Sequence, residues 1–247
     1  MSRLAGLVEA ARSARPHQRG LVAFGEFGLD YDRLHYCSKK VQLHSFAVQL
    51  KLAASLSPQL PLFLHSRAAH KDFVSLLKST FGETLEQLQR GGVVHSFTGT
   101  VEEAKELVDL GLYIGVNGCS LKTAENCAVV KAIPLDHLML ETDGPWCEIR
   151  PSHEGSKFLT EDKSDGQDAK VGELFGTKKS KKQSPAPQGR FKVVKKEKWE
   201  EGAMVKGRNE PCTIEKVAKV VAGIKGVPVG VVCDAAWENT TKVYGLK

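Results

Sequence analysis

Five short aliphatic or β-branched runs punctuate the chain: Leu21–Phe24, Pro61–Leu64, Gly92–Val94, Leu112–Val116 and Leu138–Leu140. They are continuous rather than alternating, the pattern of strands buried on both faces of a parallel sheet. Between them the period changes to that of helices. Residues 38–56 carry Val41, Leu43, Phe46, Val48, Leu50 and Leu52 in an apolar stripe. Thr100 and Glu103 have capping-box spacing, and their helix is expected to stop at Gly111. The segment 121–133 runs into Pro134, which cannot continue a helix. A first helix is expected over 3–14, and two more close the chain at 214–224, capped by Thr213, and at 229–244. Strand and helix in alternation predict parallel strands joined by right-handed crossovers.

Residues 159–190 break this pattern. They are rich in Lys, Asp, Ser, Gly and Gln, contain Pro185 and Pro187 and lack an apolar stripe, so a lysine-rich disordered insertion is expected there. The rest of the 247 residues, with 26% charged and 41% apolar composition overall, fit one soluble globular domain. The longest apolar stretches, Leu60–Leu64 and Val227–Cys233, are far short of the roughly 20 residues of a bilayer span. No membrane association is expected. Residues 1–25 hold no apolar core of secretory type, and the six cysteines include no Cys-x-x-Cys pair. An intracellular setting, cytoplasmic or nuclear, follows as the expectation.

The net charge of +6 is unevenly spread. Nine basic residues and one acid between Thr177 and Lys198 leave the remainder at −2. The cluster Lys178, Lys179, Lys181 and Lys182 has three open readings: a non-specific DNA tether, a nuclear address, or a solvated loop.

Candidate chemistry sits at the carboxyl ends of four of the five runs, as Glu26, His65, His95 and Asp143. A parallel barrel opens all these ends on one face, so the four side chains are expected to converge although they lie 39, 30 and 48 residues apart. Taken singly, each has an ordinary explanation, since a strand-end histidine is commonly a hydrogen-bonded packing residue and Asp143 before Gly-Pro is good turn chemistry. Four in series are not ordinary. Two imidazoles and two carboxylates form a nitrogen and oxygen donor set for Zn, Mn, Fe or Mg, and no cysteine joins them as in a structural zinc site.

The strings that carry these residues resemble a known family. They are Gly25-Glu26-Phe27-Gly28-Leu29-Asp30, Phe63-Leu64-His65-Ser66-Arg67, Val93-Val94-His95-Ser96-Phe97-Thr98-Gly99, Asn117-Gly118-Cys119-Ser120-Leu121-Lys122-Thr123, Glu141-Thr142-Asp143-Gly144-Pro145-Trp146-Cys147 and Gly207-Arg208-Asn209-Glu210-Pro211-Cys212. Together they are similar to the TatD family of metal-dependent deoxyribonucleases, and most of all to its eukaryotic branch. The resemblance implies a TIM barrel of the metal-dependent hydrolase type, DNA as substrate, and 3′ to 5′ exonuclease action. It also implies that Glu26, His65, His95 and Asp143 are the metal ligands, for one or two divalent ions per chain. Barrels of this family carry three βα units before the first of these strings, about 90 residues at roughly 30 per unit. Residues 1–247 are therefore expected to form a single α/β barrel domain, N-terminally truncated, with about five of eight parallel strands.

Roles follow for the remaining residues. Glu26 and Asp143 are the expected catalytic carboxylates, and Asp143 is expected to accept the proton of the attacking water. Arg67, Arg208 and Asn209 are candidates for substrate contact, against an ion-pair role for the first and plain helix-start chemistry for the other two. Trp146 is expected either to stack on a base at the mouth or to pack in the interior. No obligate protein partner is expected. Two rival functions remain: amide or ester hydrolysis on the same barrel, and a catalytically silent protein that keeps metal or DNA binding.

Overall fold

The computed structural model describes residues 2–13, 20–159 and 191–246. The architecture is α/β of the TIM-barrel type, built on one sheet of five parallel strands in the order β1 to β5. These are β1 (Phe24–Asp30), β2 (Leu62–Arg67), β3 (Gly92–His95), β4 (Tyr113–Val116) and β5 (Leu138–Leu140). The helices are α1 (Ser2–Ser13), α2 (Lys39–Ser55), α3 (His70–Phe81), α4 (Val101–Asp109), α5 (Ala124–Ala132), α6 (Ile214–Lys225) and α7 (Val229–Tyr244). The expected lysine-rich insertion falls almost wholly outside the described residues, as do the four lysines of its cluster.

The strands sort their side chains with period two. Leu62 and Leu64, Val94, Ile114 and Leu138 point to the face packed by the helices, where they join Phe46, Leu50, Phe73, Leu77 and Leu107 in the main core. Phe63, Val93, Tyr113 and Met139 point to the other face, where Val243 and Tyr244 from the end of α7 cover them. Both faces are apolar, which is why the runs read as continuous rather than alternating. Asn239 fixes α7 to the last strand, since its Nδ2 donates to Leu135 O and Leu138 O at 2.8 Å each.

Two strands extend furthest past their expected bounds. The first strand was expected at Leu21–Phe24 and instead runs Phe24–Asp30, through the glycine-rich string. That string would be a turn by composition, but parallel pairing from Phe24–Leu62 to Asp30–Arg67 holds it extended, with an irregularity between Gly25 and Phe27. Glycine is required here by close approach: a Cβ at Gly28 would lie 1.8 Å from His65 O. The second strand likewise continues past Leu64 to Arg67, so His65 is within the strand rather than after it. Helix α3 was not singled out in the sequence, although Phe73, Val74, Leu77 and Phe81 give it a buried helical stripe. The short parallel pair Val193–Val194 and Met204–Val205 was also unanticipated.

The capping box is present: Thr100 Oγ1 accepts from Glu103 N at 3.2 Å and Glu103 Oε2 accepts from Thr100 N at 3.0 Å. Among the described residues no single helix is long and apolar enough to cross a membrane. The pair Pro211–Lys225 and Val229–Tyr244 passes that test only jointly, across a bend of 113°.

Candidate metal centre

The inner face of the sheet ends in polar groups at its carboxyl edge. Two residues beyond Phe63 and Val93 stand His65 and His95, on the same face by the period of two. Glu26 reaches the same point from β1. Glu26 Oε1 lies 2.6 Å from His95 Nε2 and 3.3 Å from His65 Nδ1, and the two imidazole nitrogens are 3.1 Å apart. One ligand atom from each residue falls within 4.8 Å of the others. A cavity of about 310 Å³, lined by Glu26, Gly28, Asp30, Tyr36 and His65, opens on this cluster.

The outer nitrogens of both histidines face carboxylates. Asp30 Oδ2 lies 3.4 Å from His65 Nε2, and Glu141 Oε2 lies 3.7 Å from His95 Nδ1. This orients each ring so that the opposite nitrogen points at Glu26, the arrangement a metal-binding histidine needs. Phe63 supports the His95 ring by stacking at 4.8 Å between centroids. Glu141 follows Met139 on the inner face, and the space it occupies exists because β4 has Gly115 there: a Cβ would meet Glu141 Cδ at 3.1 Å and His95 Cα at 3.0 Å.

Electrostatics agree with a cation at this point. Hydrogen bonds with His65 and then His95 hold the Glu26 carboxyl far below the ordinary carboxylate range. Burial pulls the His95 imidazole down, but Glu141 and Glu26 outweigh it and raise the ring to about 9. The site stabilises positive charge between the carboxylates, and a divalent ion meets that demand more fully than a proton. Two nitrogens and one carboxylate oxygen, on strand ends beside an open cavity, fit such an ion.

The rim around the cluster carries backbone in the left-handed region. Ala68 (φ 52°), Ser96 (φ 50°), Asp143 (φ 53°) and Cys147 (φ 53°) are all non-glycine residues on loops that follow β2, β3 and β5. Ser96 is held there from three sides. Its N–H donates to Glu141 Oε1 at 2.5 Å, its Oγ accepts from Asn117 Nδ2 at 3.0 Å, and its carbonyl accepts from Arg67 Nη2 at 3.2 Å. Asn117 Nδ2 also reaches Glu141 Oε1 at 3.2 Å.

Asp143 stands on the loop after β5, outside the three-residue ligand cluster, where its Oδ2 accepts from Cys147 Sγ at 3.2 Å. Arg67 lines a second cavity of about 330 Å³ together with Ser66, Thr98, Cys119 and Lys122, and its buried Nε has no hydrogen-bond partner. Asn209 is buried: its Nδ2 donates to Thr142 O at 2.8 Å, its Oδ1 accepts from Thr213 at 2.6 Å, and its N–H donates to Pro145 O at 3.0 Å. It therefore clamps the loop that carries Asp143. Arg208 is exposed and lies 3.5 Å from Glu210. Trp146 is 71% exposed, so it does not pack in the interior. Asp30 and Glu141 are partners that the sequence reading misses; the signal for Glu141 is its place two residues beyond Met139.

The sequence model of the family described as "TatD related DNase" matches residues 5–245. A curated protein of Schizosaccharomyces pombe described as "Deoxyribonuclease Tat-D" is 47% identical over 220 residues, covering 89% of this chain and 60% of its own. One of Cronobacter sakazakii described as "3'-5' ssDNA/RNA exonuclease TatD" is 44% identical over 129 residues, 51% of this chain and 46% of its own. The solved structure of an "uncharacterized amidohydrolase from Saccharomyces cerevisiae" superposes with a TM-score of 0.79 at 37% identity, over 98% of this chain and 69% of that one. The chain thus spans about 60% of the length of the curated yeast relative it matches. With a family match over nearly its whole length and a shared fold, the chain belongs to the TatD-related DNase family.

Proposed function

We propose that this chain is a divalent-metal-dependent hydrolase of DNA phosphodiester bonds, acting as a 3′ to 5′ exodeoxyribonuclease with Mg or Mn as the working ion. The observation that carries the reading is the convergence of Glu26 Oε1, His65 Nδ1 and His95 Nε2 at one point on the carboxyl edge of the sheet. Both named relatives support DNA as the substrate. A divalent ion held by these three residues would supply Lewis acidity to a phosphoryl oxygen and lower the pKa of water.

The chain's own groups divide the remaining work. Asp30 and Glu141 hold the two imidazoles in register. Asp143, on its strained loop, accepts the proton released as water attacks phosphorus, and Asn209 keeps that loop in place from behind. Arg67, with an unused N–H and a cavity beside it, holds a substrate phosphate by charge-assisted hydrogen bonding. Arg208 contacts the backbone of the substrate farther out, and the exposed indole of Trp146 stacks on a base. The proposed setting is intracellular, cytoplasmic or nuclear, where thiols stay reduced.

The test is single-turnover cleavage of end-labelled single-stranded DNA, a dinucleotide and a simple ester, with Mg²⁺ or Mn²⁺ and with EDTA. EDTA-sensitive loss of nucleotides from the 3′ end is the expected result. Cleavage of the ester alone would move the reading to amide or ester hydrolysis, and no cleavage of any substrate would leave only a binding role.

A further inference from the structure

Two cysteines from separate loops meet on the rim of the proposed site. Cys119 lies in the turn Gly118–Leu121 after β4, and Cys147 on the loop after β5; their Sγ atoms are 2.7 Å apart. This is closer than two sulfur atoms that merely pack. The approach is built into both backbones. A Cβ on Gly118 would lie 2.0 Å from Cys147 O, so the loops touch only because that residue is glycine. Asn117 Oδ1 accepts from Cys119 N at 2.8 Å and fixes the turn, while Cys147 is held at a positive φ.

Each sulfur has a distinct environment. Cys119 is half-buried and lines the open cavity of about 330 Å³ beside Arg67 and Lys122, so one sulfur of an external disulfide can reach it. Arg67 and Lys122 flank Cys119 on the cavity side, whereas Cys147 is turned toward Asp143. Such an asymmetric pair has one attacking and one resolving sulfur. Cys147 also donates to Asp143 Oδ2 at 3.2 Å, which ties its chemical state to the loop proposed above to serve catalysis.

We propose that Cys119 and Cys147 are a reversible dithiol site, oxidised by glutathione disulfide to a bond that locks the two rim loops and takes the thiol hydrogen bond away from Asp143. The Cys119 thiolate attacks one sulfur of glutathione disulfide, forming a mixed disulfide and expelling a first glutathione thiolate. The Cys147 sulfur then attacks the Cys119 sulfur and expels a second. The two thiol protons end on the two glutathiones, so the protein loses two electrons and two protons and the oxidant gains them. A disulfide sulfur carries no proton, so Asp143 loses a donor. The effect on catalysis rests on the nuclease reading; the formation of the bond does not.

The experiment treats the full chain with glutathione disulfide, blocks residual thiols, and maps peptides by mass spectrometry without reduction, alongside DNA cleavage before and after dithiothreitol. The expected result is a peptide pair joined through Cys119 and Cys147, ahead of any modification at exposed Cys212 and Cys233. Cleavage should fall about tenfold, as for loss of an outer-sphere hydrogen bond, and return on reduction. Cys119→Ser should abolish the response of cleavage to oxidant and leave no joined peptide. No joined peptides, or a joined protein as active as the reduced one, overturns the proposal. A protein that forms the bond but cleaves no DNA in either state supports the dithiol site and counts against the nuclease reading instead.

Discussion

Glu141 stands behind His95, with its carboxylate 3.7 Å from Nδ1 while Glu26 lies 2.6 Å from Nε2 on the opposite side of the ring. The two carboxylates hold the imidazole from both sides. Glu141 also accepts from Ser96 N and Asn117 Nδ2, so it joins three strand ends into one platform. Glu141→Ala strips the acceptor from a buried N–H and should lower stability by about 1–3 kcal/mol in denaturant unfolding. Glu141→Gln keeps an acceptor but not the charge, and should lower cleavage about 10- to 100-fold with a smaller stability loss. Equal effects of the two variants on both readouts would contradict the orienting role.

Gly28 is a packing requirement of the β1 and β2 pairing. Its missing Cβ is the space occupied by the carbonyl of His65, 1.8 Å from where the Cβ would sit. Gly28→Ala should cost about 3 kcal/mol or more by separating the strands that bring Glu26 and His65 together. The check is the midpoint of urea unfolding, and a change under half of that would show the strands have slack.

Thr100→Ala removes the cap of α4, at the end of the loop that leaves His95. A loss of about 1 kcal/mol with unchanged DNA cleavage is expected. A fall in cleavage larger than the loss of folded protein would mean that α4 communicates with the site.

The contact between His70 and Glu106, 2.8 Å across two helices, gives a pH signature. His70, then Lys78, hold the Glu106 carboxyl below its ordinary range. A folded-state pKa that is depressed stabilises the protein above the ordinary glutamate range, and the benefit is lost as pH falls through the folded value. Thermal unfolding of Glu106→Gln should therefore show a small penalty at pH 7, under about 1 kcal/mol because the Glu106 carboxylate is half-exposed. The penalty should shrink on acidification, and one that grew would reverse the assigned sign.

Much of the site was legible because strand ends recur. Glu26, His65 and His95 each follow an aliphatic run, and the α/β alternation places such ends on one edge. Their partners were less visible. Asp30 lies in a string whose glycines look like a turn until β2 pairs with it, and Glu141 is recognised only when Met139 is assigned to the inner face. Asn209 shows the other limit. Its position beside Arg208 in a motif indicates substrate, while the structure spends both ends of its side chain on Thr142 and Thr213. Which polar side chain faces inward depends on tertiary contacts that no local pattern contains.

The role of the ligand cluster is tested most directly by Mn²⁺-dependent release of nucleotides from a 3′-labelled single strand, comparing the wild-type chain with Glu26→Ala/His95→Ala after circular dichroism confirms that both are folded. The expected result is EDTA-sensitive release by the wild type and none above the EDTA background by the double variant. Equal, EDTA-sensitive release by both would contradict the assignment of Glu26, His65 and His95 as the metal centre.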